Sequence, residues 1–198
     1  MSRANTLDRR AVTRTLLAER GDLLVVAGLG APAWDATAAG DHDLTFPLWG
    51  GMGGAAMIGL GLAIAQPERP VLVLTGDGEL LMGLGSLATL GLQRPANLAV
   101  VVLDNEHYGE TGMQETATAH GVDLAAIARA CGFTLSETIT AMEGVEALRP
   151  RLHAKQGPLF AQIKIAADSP ALVLPPRDGG LLKSRFRAAL LGPEAALA

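Results

Sequence analysis

A single cysteine, Cys131, occurs among the 198 residues. One thiol cannot close a disulfide within the chain or supply the thiolates of a metal cluster. Flanked by Ala130 and Gly132, it reads as core packing. Charge is scarce too: Asp, Glu, Lys and Arg make up 18%, the net charge is −4, and no basic run occurs. The electrostatic footprint of a nucleic-acid-binding protein is therefore missing. No apolar stretch reaches the ~20 residues of a membrane span; the region around "GLGLAIAQ" is short and interrupted by glycine. The opening "MSRANTLDRRAVTRTLLAERGD" alternates charge without a long apolar centre, so it reads as an amphipathic helix and not as a secretion signal. A soluble cytoplasmic protein is the expectation. Internal repeats and low-complexity segments are also missing.

What is present is glycine, 24 residues of it, and apolar side chains, 49% of the chain. The length suits one domain over residues 1–198, with a helix within 1–20 and a linker and helix over 168–198. So much apolar content beside so little charge implies surface left over to be covered by a partner. Strand-like runs alternate with helix-length segments. Helices are predicted over Asp8 to Arg20, Pro32 to Ala39, Gly54 to Gln66, Glu79 to Gln93, Asp123 to Cys131, Met142 to Lys155 and Leu181 to Leu191. Strands are predicted at Leu23 to Ala27, Val71 to Thr75, Leu98 to Leu103 and Pro158 to Ile165, with "LTFPLW" extended and the terminal "GPEAALA" frayed. The strands lack polar alternation, so both of their faces are buried. The expected fold class is α/β, a doubly wound, mostly parallel sheet with helices on both faces.

The stretch "VLTGDGELLMG", residues 73–83, carries the chemistry. Asp-Gly between apolar runs is a hairpin signal, but Glu79 to Gln93 has helical length and spacing. Asp77 is therefore expected at the carboxyl end of a strand that feeds a helix. The next strand, "LAVVVLDNEHYG", ends in Asp104 and Asn105; Asn105 lies 28 residues beyond Asp77, the span of one strand–helix–strand unit. If the two strands are neighbours, both polar tips emerge at the sheet edge where α/β proteins bind ligands. A carboxylate, an amide oxygen and a backbone carbonyl are hard donors that suit Mg²⁺. Gly76 and Gly78 allow backbone N–H groups to approach a phosphate. "WGGMGGAA" is open to two further readings: helix packing through small residues, or a weak dinucleotide fingerprint from Gly51, Gly53 and Ala56. "AGLGAP" mimics such a fingerprint but lacks a third glycine.

Gly-Asp-Gly followed about thirty residues on by Asn at a strand end resembles the diphosphate-binding motif of thiamine-diphosphate enzymes. By that resemblance, Asp77 and the Asn105 side chain hold Mg²⁺, and the His107 backbone carbonyl completes the protein ligands. Gly78 and Glu79 face the diphosphate, and Gly30 lines its side of the cleft. The family's usual Asn-Asn is here Asp104-Asn105; the replaced residue is not the ligand. "WGGMGGAAMIGLGLAIAQPERPVLVLTGDG" is similar to the decarboxylase and acetolactate-synthase branch. It implies that the Gly50 carbonyl accepts from the cofactor's 4′-amino group and that Met52 props the cofactor into its bent form. The sequence from Gly76 to Phe133 resembles the β subunit of sulfopyruvate decarboxylase and the matching half of phosphonopyruvate decarboxylase, and the likeness extends over most of the chain, from about Gly21 into the tail helix "LLKSRFRAALL".

In that family, the glutamate that activates the aminopyrimidine lies on a separate pyrimidine-binding domain. The resemblance thus implies a partner α subunit, with two copies of each chain or more, and a 2-oxo acid decarboxylase as the activity. A carboligase uses the same parts. A 2-oxo acid:ferredoxin oxidoreductase subunit would want more cysteines, and a non-catalytic regulatory partner would not need Asp77 and Asn105. In "DNEHYGETGMQ", His107, Glu110 and Gln114 are candidates to face the small 2-oxo acid substrate, with His107 and Glu110 as catalytic candidates. His107 and His120 read equally as loop surface. Glu110 would repel a sulfonate or phosphonate. Lys183, Arg185 and Arg187 could bind an anion or form a solvated helix face.

Overall fold

The computed structural model describes residues 7–197. Helix α1 (Arg9–Leu17) is capped by Asp8, whose carboxylate accepts the Ala11 N–H at 2.6 Å. Strand β1 (Leu24–Ala27) leads into α2 (Ala31–Ala38), β2 (Thr45–Pro47), α3 (Ala55–Ala65) and β3 (Val71–Gly76). Then come α4 (Asp77–Met82), α5 (Ser86–Gln93), β4 (Leu98–Asp104), the short strands β5 (His107–Tyr108) and β6 (Gln114–Glu115), and a 3-10 turn at Ala117–His120. The chain finishes with α6 (Leu124–Ala130), β7 (Leu135–Ile139), α7 (Met142–Arg151), β8 (Leu159–Lys164), α8 (Gly179–Leu191) and a 3-10 turn at Pro193–Leu197.

Six strands form one sheet in the order β2-β1-β3-β4-β8-β7, and every pairing is parallel. Strands β1 and β4 are buried along their whole length, as continuous apolar runs require when both faces are covered. Alternate residues feed two cores. Val25, Leu72, Leu74, Val101 and Ile163 meet α1, α2 and α7; Leu24, Val73, Val100, Val102 and Phe160 meet α3, α5 and α6. This is the expected doubly wound architecture. Cys131 packs at the edge of the second core, and no described helix is long and apolar enough to cross a membrane.

Several local features differ from expectation. The single helix over Glu79 to Gln93 is two helices, and the first already begins at Asp77. The break falls at Gly83, where an added Cβ would lie 2.1 Å from the Gly53 carbonyl oxygen, so two backbones touch there. Strand β7 is additional: "LSETI" is a half-exposed edge strand without the apolar run of its neighbours. The helix expected to reach Lys155 stops at Arg151, and the tail turns once as a 3-10 helix instead of fraying. Helix α8 is held against β2 by an edge-to-face Phe46–Phe186 pair, 5.6 Å between centroids, and by Arg185, which donates to both oxygens of Asp41 at 2.6 Å.

Candidate functional site

Parallel pairing of β3 with β4 sets Gly76 opposite Leu103. The next residues, Asp77 on one tip and Asp104 and Asn105 on the other, therefore leave the sheet at the same edge. Asp77 opens α4 and is 2% exposed. Its Oδ2 accepts from Thr116 Oγ1 at 2.6 Å and lies 3.2 Å from Thr118 Oγ1. Thr118 Oγ1 is closer, 2.8 Å, to Asp104 Oδ1. Each hydroxyl has one proton, so Thr116 serves Asp77 and Thr118 serves Asp104. Burial pushes the Asp77 carboxyl up to about 6, opposed by the Thr116 hydroxyl and reinforced by the charge of Asp104.

Asp104 is fully buried. Its Oδ2 receives Gln162 Nε2 at 2.5 Å and Lys164 Nζ at 2.7 Å, both from the neighbouring strand β8. The Lys164 ammonium is held above its ordinary value: burial pulls it down, but the carboxylates of Asp104 and Glu106 outweigh that. Beside this anchored acid, the Asn105 Oδ1 accepts the His107 N–H at 3.0 Å, and His107 Nδ1 sits 2.8 Å from the Asn105 carbonyl. A carbonyl can only accept, so the imidazole carries a proton on Nδ1, and in the neutral ring Nε2 keeps its lone pair.

These tips border a cavity of about 340 Å³ that is also lined by Met52, Gly76, Gly78, Glu79 and Glu110. Gly78 must be glycine, because an added Cβ would lie 2.6 Å from the Tyr108 ring. Gly30 caps α2 with φ +75°, and the Glu110 carboxyl leans against it, 2.6 Å from where a Cβ would stand. Burial raises the Glu110 carboxyl, partly offset by the charge of Arg9. Gly50 stands exposed at the start of the loop that carries Met52. The structure does not bring every candidate to the cavity. Gln114 is exposed and bonded within its own hairpin to Thr111. His120 is on the surface beside Glu115. Of the α8 cations, Arg185 is committed to Asp41 and Arg187 to the Ala195 carbonyl, and Lys183 is exposed; none lines the cavity.

Several site residues gave no sequence signal. Thr116, Thr118, Gln162 and Lys164 reach the strand tips only through tertiary contacts. Arg9 lines the cavity although 6% exposed, because buried Asp35 holds it with contacts of 2.8 and 3.2 Å. The charge pattern of the first helix gave the helix but not this inward pairing.

A parallel α/β sheet with glycine turns and a polar cavity at its carboxyl edge defines a cofactor-binding domain of the doubly wound class. Residues 33–163 match the thiamine pyrophosphate enzyme, C-terminal TPP binding domain. The chain belongs to that family. It is 38% identical over 192 residues to a phosphonopyruvate decarboxylase of Streptomyces viridochromogenes, covering 96% of this chain and 48% of that protein. It is 41% identical over 156 residues to the sulfopyruvate decarboxylase subunit beta of Methanothermobacter thermautotrophicus, covering 77% of this chain and 80% of that subunit. The chain thus spans about half the length of the first relative and most of the second. Benzoylformate decarboxylase from Polynucleobacter necessarius shares the fold, with a TM-score of 0.65 at 20% identity over 84% of this chain and 34% of that one.

Proposed function

We propose that this chain is the diphosphate- and Mg²⁺-binding domain of a cytoplasmic, two-subunit, thiamine-diphosphate-dependent 2-oxo acid decarboxylase of the sulfopyruvate/phosphonopyruvate type. The observation that carries the reading is Asp77: a carboxylate 2% exposed, steadied by threonines, one strand from Asn105 and bordering the cavity of Met52. The residues fit the group. Among the described residues no group of three or more His, Cys, Asp and Glu is placed to hold a metal, so an ion here would draw on amide, carbonyl and phosphate oxygens as well. One carboxylate, one amide oxygen and the His107 carbonyl are the hard donors that Mg²⁺ takes when phosphate oxygens complete its shell. Gly30, Gly76, Gly78 and the Glu79 backbone would meet the diphosphate, with the Gly50 carbonyl and Met52 beside the rings. When bound, thiamine diphosphate supplies the electron sink for loss of CO₂.

The chain's own residues then anchor, orient and exchange protons. His107 Nε2 is the candidate proton carrier, its ring fixed through Nδ1. Glu110 adds negative charge at the cavity wall, so the substrate is either a less anionic 2-oxo acid or one that holds its second anion away from this carboxyl. The partner, a pyrimidine-binding α subunit, supplies the activating glutamate. Two observations support a partner. The same segment is about half of one relative and most of a subunit called beta in another. Helices α3 and α5 also turn Met57, Ile58, Ile64 and Leu92 outward beside exposed Met82, an apolar face that a monomer rarely leaves open.

The test is co-production with the natural partner, followed by CO₂ release from a panel of 2-oxo acids with and without Mg²⁺ and thiamine diphosphate. Aldehyde product is expected; a hydroxyketone would indicate carboligation. Asp77→Ala should abolish metal-dependent cofactor binding, and full activity in that variant would overturn the metal assignment.

A further inference from the structure

We propose that Glu79 is a positioning residue: its buried side chain ties the loop after β1 and the Met52 loop to the tip of β3, and so sets the shape of the cofactor cavity. The inference rests on the cofactor reading above for its consequence, but not for its geometry. Glu79 is 3% exposed and points into the protein from α4, two residues after Asp77. Its Oε2 accepts the Thr75 hydroxyl of β3 at 2.8 Å. The same oxygen fills the place of a missing side chain: a Cβ on Gly28, in the loop after β1, would lie 1.8 Å from it. Backbone N–H groups of Ala55, Gly53 and Leu29 face the carboxyl. Oε1 is buried and none of them closes a well-formed hydrogen bond on it. Among the described residues no cation pairs with Glu79.

A buried acid without a cation is costly, and a core position would ordinarily take leucine. Amides at helix starts that have no side-chain cap, with the Thr75 hydroxyl, offset part of that cost, while burial still holds the Glu79 carboxyl above its ordinary value. The first N–H groups of a helix lack partners within it. Helix α3 begins after Gly54, which has no side chain to cap it, and α2 begins after Gly30, which has none either. Glu79 reaches the start of one helix and the loop before the other from a third element. The far end of α4 grips the same loop, since Gly83 abuts the Gly53 carbonyl. Both ends of this six-residue helix thus hold the segment that carries Met52 to the cavity.

The experiment uses the full chain, alone and with its partner, as Glu79→Gln and Glu79→Leu. Amide hydrogen exchange of segments 28–31 and 50–56 is measured without cofactor. The dissociation constant of Mg²⁺–thiamine diphosphate is read by quenching of tryptophan fluorescence, because Trp34 lines the cavity. Both segments should exchange faster in Glu79→Gln, which places a donor against donors. Cofactor binding should weaken about tenfold in Glu79→Gln and about a hundredfold in Glu79→Leu, the range seen when a ligand's supporting partner is lost. The oxo-acid KM should hold at saturating cofactor; a merely structural role would lower the melting point and leave the dissociation constant alone. If Glu79→Leu does not fold, Glu79→Gln carries the test. Unchanged exchange and unchanged affinity in Glu79→Gln overturn the proposal. Faster exchange in a protein whose wild type binds no thiamine diphosphate would keep the latch and overturn the functional reading instead.

Discussion

Asp104 shows how a single residue can shape a site without lining its cavity. It is a fully buried anion one position before Asn105, and Thr118, Gln162 and Lys164 together satisfy it. Thr118 is the hinge of the arrangement, its hydroxyl lying between two carboxylates. Thr118→Val keeps the shape and removes the proton, so a buried carboxylate loses a donor, which costs about 1–3 kcal/mol. Urea denaturation should show that loss with an unchanged slope, and Thr118→Ser should recover most of it. A stability equal to wild type in Thr118→Val would mean that the hydroxyl holds neither acid. At this scale the sequence was partly legible. Asp77, Asn105 and Gly78 stand out because two neighbouring strand tips that present oxygen donors and a close backbone approach need their types at that spacing. Thr116 and Thr118 lie 39 and 41 residues from Asp77 and meet it only because the 3-10 turn folds back over the tip; no local pattern encodes that return.

Elements are most legible in the sequence where burial is uniform. The apolar runs of β1, β3, β4 and β8 and the long helices between them follow from composition, whereas β7 has no such run because one side of an edge strand faces water. The two-residue strands β5 and β6 are too short to leave a period. The break between α4 and α5 was hidden because Leu80, Leu84, Leu87 and Leu90 keep helical spacing across it, and only the contact of Gly83 with Gly53 reveals the bend. Helix α8 offers a test of how a terminal element is attached. The Arg185 guanidinium, by hydrogen bonding and by charge, holds the Asp41 carboxyl below its ordinary value. A carboxylate depressed in the folded state contributes its full stabilisation above the unfolded value, ~3.9, and loses it as pH falls through the lower folded value. The pair is partly exposed, so its worth is about 1 kcal/mol or less. Acidification from pH 5 to pH 3 should therefore lower the protection factors of α8 amides, taken against the intrinsic rate at each pH, ahead of those of the sheet, and Asp41→Asn should show that lowered protection already at pH 7 with no further step. Equal α8 protection in both proteins, unchanged between pH 7 and pH 3, would mean that Phe186 and its neighbours alone hold it.

At the scale of the whole molecule, composition anticipated that apolar surface would remain, and the structure locates it. Helix α3 is apolar on every side; Leu60 and Ala63 enter the core while Met57, Ile58 and Ile64 face outward. Met57 and Ile58 lie in the first turn of α3, just after the loop of Met52, and Ile64 lies at its far end. A cavity of about 340 Å³ is at the small end for an organic ligand, as expected where a second chain supplies the opposite wall. Where a second chain would dock is not legible in the sequence, because an apolar helix reads alike whether its second face meets a partner or its own core. Ile64→Lys with Leu92→Lys places charge at positions 58% and 78% exposed. Substitutions at such positions usually change folding stability by no more than about 0.5 kcal/mol. Two buried ammonium groups would, however, be intolerable in an apolar interface. The double variant should melt as the wild type does when alone, yet fail to co-purify with the partner and give no CO₂ release. Retention of the partner at wild-type stoichiometry would place the interface elsewhere, and the second wall of the cavity would then have to approach from the side of Arg9 and Trp34.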